Sequence, residues 1–291
     1  MRLILFVGTS FFRGLHVSSK RQIDFHWNFD VLCSLVLRSG DRACRHPAYG
    51  RNRRSDGTDE GSGAAFEAGA DDVTVEVIAG LGSSGSIAAA TDSALDIAVS
   101  ARPLKPAEVE TGLTQSVFAQ TPYGLVSSNP NPGDIAASEL AAFYASTTST
   151  WPDGTPVRVI LRPNRESDTA LLGGMFAGMA EAIDAVRLRI DVPIAATDQD
   201  NLELASSLDG SLVGTSLAQV VTEHRQLHFM TIDGYQPTLE NLENGSYPFA
   251  KSFYLVVSGT PTPLAQRFTA FLQSVDGKRI LSAAACRPVV N

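Results

Sequence analysis

Cysteine is scarce: three in 291 residues, at Cys33, Cys44 and Cys286, with no CxxC pair. That excludes a disulfide framework and a thiolate zinc site. An exported chain could join Cys33 to Cys44, but the pattern predicts unpaired thiols. No stretch reaches the ~18 consecutive apolar residues of a membrane span. No repeat of about 20–50 residues recurs, which excludes a solenoid or a propeller. Positive charge is also short, with 23 Lys+Arg against 31 Asp+Glu and a net charge of −8. A general nucleic-acid binder, which carries a basic face, is therefore excluded. A local nest of donors can still bind an anion against the global sign. What remains is ordinary for a soluble globular protein: 44% hydrophobic and 19% charged residues,. The length suits one large domain or two modest ones.

The charge is unevenly spread. Residues 1–60 hold 10 Lys+Arg against 6 Asp+Glu, while the remaining 231 hold 13 against 25. Three of the five His and two of the three Cys also fall in the first 60. This break predicts an N-terminal extension over 1–60 and a boundary near Gly61. Arg2 followed by Leu3–Val7 sketches the apolar core of a signal peptide, but no small-x-small cleavage site follows. A buried strand is the competing reading.

From Gly63 onward the pattern is regular. Strands are expected over Val73–Ala79, Asp96–Ser100, Tyr123–Ser128, Val157–Leu161, Val213–Thr215 and Phe253–Val257. Helices are expected over Ser84–Ser93, from Pro106, over Ala136–Tyr144, over Thr169–Ala185 and over Pro263–Val275, the last ending at Asp276-Gly277. "NPNPG" and "WPDGTP" mark turns. Strands alternating with helices predict an α/β fold with mainly parallel sheets.

One stretch, "VIAGLGSSGSIAAA" (Val77–Ala90), carries Gly80-x-Gly82-x-x-Gly85 between a strand and a helix. Read as a dinucleotide fingerprint, it needs an acidic residue at the end of the next strand to hold the ribose. That strand ends Val99-Ser100-Ala101-Arg102, so only a 2′-phosphate on Arg102, and hence NADP, would suit. A serine-hydrolase elbow needs Gly-x-Ser-x-Gly, and "GSSGS" is not that. His224 and His228 lie four apart without a third ligand nearby, which favours solvated or core histidines over a metal site.

Read as an oxyanion loop, the same stretch offers Ser83, Ser84 and Ser86 beside the amides of a helix start. Ser100 and Arg102 follow the next strand. "LRPNRESDTALL" (Leu161–Leu172) repeats the design: a strand, Arg162 and Arg165, a Ser-Asp-Thr turn, and a helix. Each serine taken alone could merely cap a helix. The pairing of two such units points to a shared cleft.

Several segments resemble one family. "GLGSSGSI…ALDIAVSARPL", "LAAFYASTTSTWPDGTPVRVILR", "GYQPTLENLENGSYPFAKSFYLVV" and "FLQSVDGKRIL" are similar to segments of the phosphate-type substrate-binding proteins of ABC importers. The likeness runs from about Gly63 to Val289. It implies the type 2 periplasmic binding fold: two α/β lobes around an interlobe ligand cleft, with lobe I over 61–122 plus 256–291 and lobe II over 123–255. It implies capture of a tetrahedral oxyanion, most strongly phosphate, with no catalysis, no cofactor and no metal. ABC permease subunits are the implied partners, a monomer the implied state, and the periplasm or cell envelope the implied place.

By the same resemblance the ligand-binding residues fall on Ser83, Ser84, Ser100, Arg102, Arg162 (or Arg165), Ser167, Asp168 and Thr169. Three departures accompany it. Ala101 stands where many relatives carry an acidic acceptor for the phosphate proton, which leaves Asp168 to accept it or to cap its helix. The arginine-to-serine spacing is one residue longer than usual. The family's first strand and its Thr-bearing loop are not recognisable upstream of Gly63. "FVGTSFF" (Phe6–Phe12) has their character but lies too early. Two alternatives stay open: an intracellular anion-sensing module of the same fold, with 1–60 as a partner-binding extension, and an NADP-dependent oxidoreductase using Gly80–Gly85.

Overall fold

The computed structural model describes residues 35–36, 75–78 and 81–289. The expectations for the 1–60 extension and its signal-like core, for Cys33 and Cys44, for Gly80, and for the start of the strand at 73 lie outside these residues. The one exception is a short antiparallel pairing of β1 (Leu35–Val36) with β2 (Glu76–Val77).

The first unit runs from α1 (Gly82–Thr91) into β3 (Ile97–Ser100), whose four residues are all buried. The short α2 (Pro106–Val109) follows, with proline at its first position, where a missing N–H costs nothing,. It leads into β4 (Leu113–Ser127), fifteen residues long. At ~3.3 Å per residue this strand is about 50 Å from end to end, long enough to serve two separate cores.

Beyond β4 the chain forms β5 (Asp134–Ile135), α3 (Leu140–Ala145) and β6 (Arg158–Val159). Next come α4 (Ser167–Met175), α5 (Met179–Arg187), α6 (Asp198–Ser207), β7 (Ser211–Ser216) and α7 (Leu217–Thr222). Then follow β8 (His228–Phe229), β9 (Thr231–Ile232), α8 (Leu239–Glu243) and β10 (Ala250–Ser258). The chain closes with α9 (Pro263–Gln273), α10 (Val275–Ala283) and β11 (Arg287–Pro288).

The main sheet runs β3-β10-β4-β7-β6, with β8 and β11 added to β4. Its register changes partner along β4. Leu113 to Pro122 pair with β10, and Tyr123 to Val126 pair with β7. Apolar side chains gather accordingly. Ile97, Val99, Phe118, Phe253, Leu264 and Phe268 cover one face of the β3-β10-β4 part, and Ile87, Leu95, Leu113 and Val256 the other. Past Pro122 new clusters begin, around Tyr123, Tyr144, Trp151 and Met179 on one face and Val126, Ile160, Leu202 and Val213 on the other. The Trp151 indole Nε1 donates to Gly210 O at 3.0 Å and pins the "WPDGTP" turn beneath this second part.

Three expectations change. The sheet is mainly antiparallel rather than mainly parallel. β4 pairs antiparallel with β7, β8, β10 and β11, β10 pairs antiparallel with β3, and among the described strands β6–β7 and β5–β9 run parallel. The two long strands β4 and β10 pass side by side in opposite directions, which strand-helix alternation alone does not reveal. The helix expected over 169–185 is two, because Phe176 turns extended after α4 and Gly178, at φ +75°, stands as the N-cap of α5, a left-handed conformation that interrupts the helical path,. The helix expected to stop at Asp276-Gly277 is instead followed by another. Ser274 Oγ accepts from Gly277 N at 3.1 Å, so Asp276 and Gly277 lie in the first turn of α10,.

Candidate functional site

Two strand–turn–helix corners meet at the centre of the molecule. At the first, β3 delivers Ser100 to a tight turn. The Ser100 hydroxyl donates to Arg102 O at 2.6 Å and accepts from Arg102 N at 3.1 Å. Buried Ser86 donates to Val99 O at 3.1 Å and fastens α1 to the end of that strand. Ser83, at the opening of α1, accepts from the Ala101 amide at 2.9 Å. Gly82 starts the helix at φ +63°, a conformation strained for any residue with a Cβ,.

At the second corner, the segment after β6 is held by a parallel bridge between Leu161 and Ile194. Arg162 follows. Its guanidinium donates to Asp198 Oδ1 and to Ala195 O, both at 2.8 Å, while its Nε is buried with no hydrogen-bond partner. Arg165 is exposed on the following turn. Thr169 Oγ1 donates to Pro163 O at 3.0 Å, closing the turn onto α4.

The corners are joined by a hydrogen bond. Ser83 Oγ donates to Ser167 Oγ at 3.4 Å, across 84 residues of sequence. It joins the openings of α1 and α4, so both helices present their N-terminal amides, and the positive ends of their dipoles, to the same seam. A cavity of about 10 Å³ beneath the seam is lined by Tyr123, Arg162, Asp168, Thr169 and Leu172. That is about what a single water requires, and no residue of the first corner lines it. A larger cavity of about 360 Å³ lies elsewhere, lined by Asn131, Leu217, His228, Phe229 and Gln236 among others. It contains none of the serines or arginines of the two corners.

Like Arg162 with Asp198, two further predicted ligand residues are paired with protein groups. The Arg102 guanidinium forms a two-pronged pair with Glu108 at 2.7 and 2.8 Å and reaches Ser84 Oγ at 3.2 Å. The Arg102 hydrogen bonds, opposed by partial burial, hold the Glu108 carboxyl at about 2 against an ordinary 4.5,. Asp168, expected either to accept a ligand proton or to cap α4, is paired with Lys251. Its carboxylate receives Lys251 Nζ at 2.7 and 2.9 Å, and both residues are buried. Burial pushes the Asp168 carboxyl up and the Lys251 ammonium pulls it partly back down,.

Four neighbours of the site escaped the sequence reading: Glu108, Glu166, Asp198 and Lys251. Lys251 left the clearest signal, as a lone charge in the strand "FAKSFYLVV". An ammonium in so apolar a strand needs a buried partner. Glu166 left a weaker one, an opposite charge four residues after Arg162, and the two stand 3.9 Å apart. Among the described residues, no three His, Cys, Asp or Glu side chains are grouped to hold a metal ion. No helix among them is long and apolar enough to cross a membrane.

A sheet whose longest strand serves two successive cores, with two helix starts facing across a seam, is the architecture of a type 2 periplasmic binding protein. The model of the PBP superfamily domain matches residues 58–276, and the chain belongs to that superfamily. Among solved structures, one from Clostridium perfringens is described as a "putative phosphate ABC transporter substrate-binding protein with bound phosphate". It aligns with a TM-score of 0.67 at 22% identity, over 79% of this chain and 93% of its own. An ABC-type phosphate transport receptor from Vibrio cholerae aligns at 0.57 and 16% identity, over 78% and 93%. A phosphate-binding protein from Stenotrophomonas maltophilia aligns at 0.54 and 14%, over 72% and 82%. At these identities the likeness is one of fold. No curated protein matches the sequence. The fold also removes the ground for a dinucleotide reading of Gly80–Gly85, since α1 faces a second helix start rather than a second mononucleotide half.

Proposed function

We propose that this protein is a solute-binding protein that captures a tetrahedral oxyanion, with phosphate preferred, for an ABC importer. The observation that carries the reading is the Ser83–Ser167 contact, which sets two helix N-termini against one another with Arg162 beside them. Two helix starts supply converging N–H groups, the serines supply hydroxyls, and the arginine supplies charge. Charge-assisted hydrogen bonds contribute about 1.5–3 kcal/mol each, so five or six of them supply about 8–18 kcal/mol, enough to reach the ~8 kcal/mol of a micromolar complex. Ser83 faces Ala101 and Ser167 rather than a histidine or another base, which supports binding without catalysis.

In this reading residues 61–122 plus 256–291 form one lobe, 123–255 the other, and β4 and β10 are the crossovers that bend when the cleft opens. Ser83, Ser84 and Ser100 serve from the first lobe and Arg162, Ser167 and Thr169 from the second. Arg102 serves only if it exchanges Glu108 for the ligand. The chain would act as a monomer in the periplasm or cell envelope and deliver its anion to permease subunits.

Titration calorimetry with phosphate, sulfate, molybdate and tungstate tests the proposal. Phosphate should bind most tightly, and Ser83→Ala and Arg162→Ala should each weaken it by about 2 kcal/mol or more. Unchanged affinity in both variants would remove the site.

A further inference from the structure

Glu166 is the residue at this seam that the binding reading leaves without a role. It is the N-cap of α4, yet its side chain makes no capping bond. It turns instead toward the other corner. Its Oε2 lies 3.8 Å from where a Cβ on Gly82 would stand, at the opening of α1, and 3.9 Å from Arg162 Nη2. The carboxylate therefore sits between the N-terminus of one helix and the guanidinium of the opposite corner, beside the Ser83–Ser167 contact. It holds that place by charge alone, since the carboxylate makes no hydrogen bond among the described residues. Its side chain keeps 31% of its exposure, so it can swing outward. Glu166 also immediately precedes Ser167, in the segment where the arginine-to-serine spacing is one residue longer than in the family it resembles.

We propose that Glu166 is a tethered anion that competes with the free oxyanion for the start of α1 and for Arg162. The proposal rests on the anion-binding reading of this seam. A carboxylate is favoured beside a helix N-terminus for the same reason a phosphate is, so the two exclude one another from one position. Each time the carboxylate occupies the seam the site is not competent, and the apparent affinity is scaled down to the fraction of time the carboxylate is out. Its effect on different anions is uniform, because it acts on the site and not on the ligand. It also ties the second corner to the first, so the seam stays closed over Ser83 and Ser167 until an anion takes the carboxylate's place.

The test is calorimetric titration of inorganic phosphate and of sulfate into the full chain, in a buffer free of other oxyanions. Wild type is compared with Glu166→Gln and Glu166→Ala, and Arg162→Ala serves as the site control. Removing the competing charge should tighten both anions by a similar factor, about three- to tenfold for a partly exposed pair at a helix end. The same variants should melt slightly lower than wild type without added anion, because the carboxylate's own contacts are gone. A variant that merely disturbs the turn would lose stability and affinity together, and that outcome overturns the proposal. So does unchanged affinity, and so does a selective loss of phosphate, which would make Glu166 an acceptor for the ligand's proton. If Arg162→Ala also leaves binding unchanged, the anion site itself lies elsewhere. If Arg162→Ala weakens binding while the Glu166 variants do not tighten it, only the competitor is refuted.

Discussion

Replacing Lys251 by Met isolates the buried ion pair that supports the second corner. Lys251 lies on β10 opposite Thr121, one residue before β4 exchanges β10 for β7, and its side chain is 2% exposed. Its ammonium meets both oxygens of Asp168 at 2.7 and 2.9 Å, and Asp168 is the second residue of α4. Methionine keeps the length and the apolar stem but leaves the Asp168 carboxylate buried without its partner. Breaking a buried pair from one side costs about 3–5 kcal/mol, and a chain of this size loses about 2–4 °C per kcal/mol, so the melting temperature should fall by roughly 10 °C.

The deficit should depend on pH with a definite sign. Burial already raises the Asp168 carboxyl, and removing Lys251 takes away the main influence opposing that rise. A carboxyl raised on folding binds its proton more tightly in the folded state. Stability therefore falls as pH rises through the folded value and recovers below it. Lys251→Met should thus lie furthest below wild type at pH 8 and closest to it in acid. Adding Asp168→Leu should restore much of the loss, because the orphaned charge is then gone. Calorimetric melts of wild type, the single variant and the double variant from pH 4 to 8 decide the matter. A single variant within 1 °C of wild type at pH 8, or a loss that the second substitution deepens, would refute the reasoning.

Two further expectations concern other parts of the structure. The Glu108 carboxyl should titrate near 2 in a carbon-detected NMR experiment and move back toward 4.5 in Arg102→Ala. Because its value is depressed on folding, its contribution to stability is present above 4.5 and lost as pH falls toward 2,. Gly178→Ala forces a Cβ into φ +75° between α4 and α5. It should cost about 1–2 kcal/mol by denaturant titration followed by circular dichroism, and no loss would mean that the helix break does not depend on glycine.

Much of the site's chemistry was legible along the chain because helix starts announce themselves locally. A glycine turn followed by serines, and a strand followed by arginine and Ser-Asp-Thr, each mark an end of a helix where amides lack partners. The strands expected over Asp96–Ser100 and Phe253–Val257 were likewise visible as short apolar runs between turn signals, while the one expected over Val157–Leu161 is shorter, Arg158–Val159. Those signals span only a few residues and need no knowledge of the rest of the fold.

What only the tertiary structure decided is which of these parts face one another and what each side chain then does. Ser83 meets Ser167 across 84 residues and Lys251 meets Asp168 across 83. Both meetings follow from β4 running on through two cores with β10 antiparallel beside it, a pairing that local periodicity does not encode. The same packing set a buried ammonium against Asp168, and it brought Glu166 to the helix start opposite. A carboxylate at a helix N-terminus reads identically in sequence whether it awaits a ligand, replaces one or balances a lysine. Only the positions of the surrounding charges distinguish these roles, because electrostatic energy depends on distance through space and not on separation along the chain.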